Sequence, residues 1–120
     1  MKVLSPEQMR VADERAIAVG IPSLVLMENA AQRVLDLIPE GEPFLAIFCG
    51  KGNNGGDGLA LARLIHLNRK PERMEVILSD PPSGDAALQL GMLRALHIPI
   101  AEQPSDDIHG ATLVIDALLG

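Results

Sequence analysis

The residues best suited to chemistry lie in one run, Cys49-Gly50-Lys51-Gly52-Asn53-Asn54-Gly55-Gly56-Asp57-Gly58. Five glycines fall within nine residues there, leaving backbone N–H groups that no Cβ shields from an anion. The run separates an apolar stretch, Phe44 to Phe48, from a helix-like stretch, Leu59 to Asn68. A loop that leaves a strand and opens a helix also turns the positive helix end toward its ligand. Two asparagines and an aspartate add amide and carboxylate oxygens that a phosphate cradle alone does not need. The combination points to a nucleotide-like molecule, with a cation as a candidate companion.

Gly50-Lys51-Gly52-Asn53-Asn54-Gly55 also satisfies G-x-G-x-x-G, so an ordinary NAD-binding dehydrogenase is one reading. Polar Asn53, Asn54 and Asp57 in the expected first turn count against it, as does Gly55-Gly56, which would delay the helix to about Asp57. Asp80, beyond the second predicted strand, can pose as the ribose-binding acid or only shape the turn before Pro81-Pro82. Taken singly, Asn53-Asn54 read as turn formers, Asp57 as a helix N-cap, and Asp116 as a cap on a following turn. Taken together they favour a site. His66, His97 and His109 share no metal-ligand spacing. Cys49 has no histidine visibly paired with it and reads as a small core residue. Lys51 fits either a phosphate contact or solvent, and Glu28-Asn29 either the site or a polar helix face.

These residues need a scaffold, and its pattern is α/β. Ser5-Pro6-Glu7-Gln8 starts a helix that runs to Gly20, and a second helix follows Pro22 with Leu24, Met27, Ala31, Val34, Leu35 and Ile38 at helical spacing. After a linker over 39–43 the rhythm alternates. Strands are predicted at 44–49, 74–79, 98–101 and 112–116, with helices at 57–68 and 83–96. Alternation predicts a parallel sheet, right-handed crossovers and helices on both faces. A strand order of 3-2-1-4 places the glycine run and Asp116 at neighbouring carboxyl ends, where such folds bind ligands.

Composition narrows the classes. The 120 residues carry a net charge of -6, which argues against binding a nucleic-acid backbone. One cysteine excludes an internal disulfide, and the start has no apolar leader, so a reducing cytoplasm is the expected address. No stretch is long and apolar enough to span a bilayer as a helix.

The block Gly50-x-Gly52-Asn53-Asn54-Gly55-Gly56-Asp57-Gly58, followed by Ala60-x-Ala62-Arg63, resembles the NAD(P)H-hydrate epimerases. Met9-Arg10-x-x-Asp13, Leu26-Met27-Glu28-Asn29-Ala30 and Val114-Ile115-Asp116-Ala117-Leu118-Leu119-Gly120 match in order and spacing; Ala31 stands where many relatives have glycine. The resemblance implies a Rossmann-like three-layer α/β/α domain preceded by N-terminal helices, and interconversion of the R and S hydrates of NADH and NADPH (NADHX and NADPHX). It implies that Asn53, Asn54, Gly55, Gly56, Asp57 and Gly120 contact substrate and that Asn54 and Asp116 ligate a potassium ion. Relatives continue with a Gly-Thr-Gly loop and an Asp-x-Pro-Ser-Gly segment whose aspartate is the catalytic residue. Residues 1–120 are therefore expected to be the N-terminal part of the domain, a helical segment over 1–40 and βαβ units over 44–120, inactive alone. The expected assembly is a homo-oligomer, a dimer or larger, and fusion to a dehydratase is common in bacterial relatives. The alternative is a non-catalytic nucleotide- or partner-binding module, since animal relatives are linked to apolipoprotein binding.

Overall fold

The apolar run Phe44–Cys49 forms strand β1 at the middle of a sheet, with all but Phe48 buried. A computed structural model describes residues 14–15 and 17–118; most of the first predicted helix, including Ser5-Pro6 and Met9, lies outside them. Helix α1 spans Ser23–Leu37, α2 Asn53–Asn68 and α3 Gly84–Ala95. Strands β2, β3 and β4 span Arg73–Leu78, Ile100–Ala101 and Leu113–Ala117, with a 3-10 turn at Ile108–Gly110. The strand order is β3-β2-β1-β4 and every pair is parallel, as the alternating pattern predicts.

The boundaries differ from expectation by one or two residues, with one exception. Helix α2 starts at Asn53 rather than Asp57, and extended Gly52 is its N-cap. Gly55 and Gly56 therefore lie inside its first turn, and Asp57 is not the cap.

Helix α1 buries Met27, Ala31 and Leu35, one turn apart, against α2. Val34, expected on the same stripe, is 41% exposed. The last carbonyls of α1 have no partner within the helix. Arg69, at the end of α2, supplies one: its guanidinium donates to the Ile38 and Leu35 carbonyls at 2.9 and 3.0 Å. Upstream, Gly20 ends the preceding helical residues with φ +98, a conformation that suits glycine.

The three described helices form one layer, with α2 in the middle and α1 and α3 on its flanks. Val76 and Leu78 join Leu45, Ile47 and Cys49 in the core beneath them. Helices on both faces were expected. Among the described residues the opposite face is instead crossed by the β3–β4 connection. Glu75 accepts from the Ser105 amide and hydroxyl at 2.5 and 2.8 Å, and Arg73 lies 4.3 Å over the Phe44 ring. The Thr112 hydroxyl donates to the Phe44 carbonyl at 2.9 Å, aligning β4 beside β1. The reason is connection length: the link holds one 3-10 turn and no α-helix.

Leu93 of α3 is fully buried and Leu37 of α1 is 81% exposed. Leu93→Ala is expected to lower unfolding free energy by about 2–5 kcal/mol, and Leu37→Ala by no more than ~0.5 kcal/mol. Urea melts of the two variants check this ranking.

Candidate functional site

The site is built at the carboxyl ends of β1 and β4. The Gly50 N–H donates to the Ala117 carbonyl at 2.9 Å, extending the β1–β4 ladder one residue past β1. A Cβ on Gly50 would overlap the Leu118 carbonyl. A Cβ on Gly55 would overlap the Gly50 carbonyl itself, so the first turn of α2 rests directly on the end of β1. On the flank of α2, a Cβ on Gly56 would meet Met27 Cε of α1 at 2.5 Å and Ala86 Cβ of α3 at 3.1 Å. One on Gly58 would meet Ala117 Cβ at 2.8 Å and Cys49 Sγ at 2.9 Å. Four glycines thus serve close packing first. The glycine-dense loop expected to face a ligand is largely folded into the helix.

That packing leaves the helix start in place. The Gly56 N–H donates to the Gly52 carbonyl at 3.1 Å, the first α-helical bond of α2. The N–H groups of Asn53, Asn54 and Gly55 precede it, and an α-helix cannot satisfy such groups internally. They point out of a helix end that carries partial positive charge.

Asp116 lies in β4 opposite Phe48, exposed, and its Oδ1 accepts from the Leu118 N–H at 3.0 Å. It does shape the turn after β4, as a cap at that position would. It also borders a groove of about 260 Å³ with Asp57, Gly58, Leu61, Ala30 and Ala31. The predicted residues Gly55, Gly56, Asp57 and Asp116, with the backbone of Asn53 and Asn54, therefore gather at one end of the sheet. Gly120 lies outside the described residues. Lys51 is exposed on the same turn. A second cavity, of about 170 Å³ around Pro43, Arg69 and Lys70, lies at the other end of the sheet.

Glu28, left open between site and surface, is paired instead: its carboxylate accepts from the Arg63 guanidinium across α1 and α2. The pair is half-buried, and burial lowers the Arg63 pKa while the group stays a cation. Sequence offered a signal, since Glu28 and Arg63 stand in two of the quoted motifs, but nothing in their spacing joins them. His66 is exposed on α2 and His97 sits in a left-handed turn at φ +59. Among the described residues no three His, Cys, Asp or Glu side chains form a metal cluster.

The family model described as "YjeF-related protein N-terminus" matches residues 23–120. The chain belongs to that family. It is 38% identical, over 99% of its length, to an NAD(P)H-hydrate epimerase of Limosilactobacillus fermentum. It is also 36% identical, over its whole length, to a bifunctional NAD(P)H-hydrate repair enzyme of Archaeoglobus fulgidus. The chain spans 59% of the first relative and 25% of the second. The crystal structure of yeast ynu0 superposes with a TM-score of 0.75 over the whole chain and 57% of the yeast one, at 23% identity. That likeness carries the α/β fold of the family. The family's glycine-asparagine block is accordingly a strand-to-helix junction in this chain.

Two predictions follow from the junction. Gly55→Ala is expected to destabilise the ligand-free protein by at least about 2 kcal/mol, because the Cβ meets backbone that cannot swing aside. Thermal denaturation without nucleotide measures it. Burial pushes the Cys49 thiol up to about 12. Near neutral pH the group is therefore a neutral thiol, and thiolate chemistry needs the anion. Native protein is expected to resist iodoacetamide at pH 8 and to react after unfolding in guanidinium, as read by mass spectrometry.

Proposed function

We propose that the chain forms the nucleotide-binding part of an NAD(P)H-hydrate epimerase, an isomerase that interconverts the R and S forms of NADHX and NADPHX. The observation that carries the reading is the meeting of the first turn of α2 with Asp116 across two hydrogen-bonded strand ends. The names of its relatives support the reaction. The junction suits the substrate: helix-end N–H groups take pyrophosphate, and the groove beside Asp57 and Asp116 takes an uncharged or cationic ring.

The hydrate is a hemiaminal. Its ring nitrogen donates its electron pair as the C6–O bond breaks and hydroxide leaves with the bonding pair. The result is a planar cation, and water returning to either face with loss of a proton gives R or S. Carboxylates at the groove would stabilise that cation, and a general acid would protonate the departing hydroxide. On this reading the acid–base residue lies outside residues 1–120, in the remainder of the domain.

The donor chemistry fits a potassium ion. Asp116 is an exposed carboxylate at the strand end, and with the Asn54 carboxamide it offers hard oxygen ligands suited to such a cation. These two residues would hold it, and the ion would supply positive charge beside acidic groups. The reading also places the protein in the cytoplasm, as a homo-oligomer.

The test begins with purified R-NADHX and follows S by chromatography, in potassium and in its absence. Activity is expected from the complete domain and not from residues 1–120 alone. Asp116→Asn is expected to weaken the potassium response by about tenfold or more. A complete domain that binds R-NADHX and leaves it unchanged is a binding module, and the epimerase reading falls.

A further inference from the structure

The junction supports a finer assignment, which borrows from the epimerase reading only the kind of substrate. Three glycines of G-x-G-x-x-G have distinct duties in a dinucleotide fold: a tight turn, an open approach for pyrophosphate, and close helix–strand packing. Here Gly50 lies against the Leu118 backbone just past β4, Gly52 is exposed at the helix N-cap, and Gly55 packs on the Gly50 carbonyl. The helix starts inside the glycines, as that geometry requires. The polar first turn counted against this arrangement at the sequence level, and the packing restores it.

Such a fold reads the adenosine ribose with an acid just past the second strand. Asp80 holds that place. Strand β2 pairs with β1 from Arg73 to Leu78, with Cys49 opposite Leu78, so Asp80 follows β2 as Lys51 follows β1. The Gly56–Ala86 approach brings the start of α3, and hence the 79–83 turn, alongside the start of α2. Asp80 is exposed, and Pro81-Pro82 stiffen the backbone that presents it. The Ser79 hydroxyl reaches its carboxylate only weakly, at 3.5 Å. A 2′-phosphate needs an arginine nearby. Arg69, Arg73 and Arg94 stand at the amino ends of the strands, and Arg63 is engaged by Glu28. In the two turns at the carboxyl end, Lys51 is the lone cation.

We infer that Asp80 is the specificity-determining residue for the adenosine ribose. It accepts from the free 2′-OH and disfavours a 2′-phosphate, so the protein prefers NADHX to NADPHX.

Calorimetry with ADP-ribose and 2′-phospho-ADP-ribose tests this without the nicotinamide. Wild type is expected to favour ADP-ribose by about tenfold or more, the scale of one charged hydrogen bond. Asp80→Asn should shrink the ratio to within about threefold, and Asp80→Arg should invert it. Equal wild-type affinities, a ratio unchanged in both variants, or no binding of either compound overturns the assignment. The R-NADHX assay, run in parallel on the wild-type complete domain, separates the two readings. Turnover without a ratio removes Asp80 alone, and a ratio without turnover removes the epimerase reading alone.

Discussion

The fold depends on a backbone crossing without side chains. The carbonyl of Gly50 supports the first turn of α2 at Gly55, while the end of β4 passes over Gly50 at Leu118. Three chain segments meet there at distances that no Cβ fits. With α2 lowered onto the sheet, Gly58 reaches Cys49 and Ala117, and Gly56 admits α1 and α3 from the sides. Ala60 and Ala62 continue the same economy one turn on, both fully buried. Larger residues, Leu59, Leu61 and Ile65, then fill the space that remains. A central helix touched on so many sides must be thin at its start, which is why its opening sequence is rich in glycine and poor in helix propensity.

That double duty explains what could be read from the chain and what could not. Strand runs such as Phe44–Cys49 and the α1 stripe Met27, Ala31, Leu35 declare themselves, because burial on a sheet or helix imposes a period. Parallel pairing followed from crossover rules, and the meeting of the glycine block and Asp116 from the 3-2-1-4 order assumed for a doubly wound sheet. The helix start did not follow. Gly55-Gly56 looks like an interruption from local propensity, and only tertiary contacts with Gly50, Met27 and Ala86 make it a helix. Glu28–Arg63 was illegible for a related reason. The two residues sit 35 positions apart, and their pairing depends on how α1 lies against α2.

The β3–β4 link shows how a strand is placed without a crossover helix. Glu75 is largely shielded, so its bonds to Ser105 act in a medium where they count for more than the exposed Arg73–Asp107 contact. Stacking of Arg73 on Phe44 adds a cation–π contact at the same point. Thr112 then bonds both the amide and the carbonyl of Phe44, so the residue before β4 is aligned with the first residue of β1. Register at that end fixes register at the other. Five ladder positions later, Cys49 stands beside Ala117, and Asp116 arrives where the loop of β1 turns into α2. The polar network at the amino ends therefore sets the geometry at the carboxyl ends.

An acidic chain that is to hold an anionic dinucleotide, as proposed above, needs positive potential without many basic side chains. The net charge is -6, and Lys51 is the lone cation in the turns that follow β1 and β2. Backbone supplies the difference. Amide groups at the start of α2 are fixed by the helix, so they lose no rotamer entropy when they meet phosphate, whereas a lysine would. Carboxylates nearby then cost little, provided they face the parts of the ligand that carry no phosphate: a ribose hydroxyl, or a ring that becomes cationic. Lining the rim with arginines would strengthen pyrophosphate binding and destroy that discrimination. On the proposed reading, an N-terminal helix turn packed on glycine attracts the phosphate, and the surrounding acids select what is attached to it.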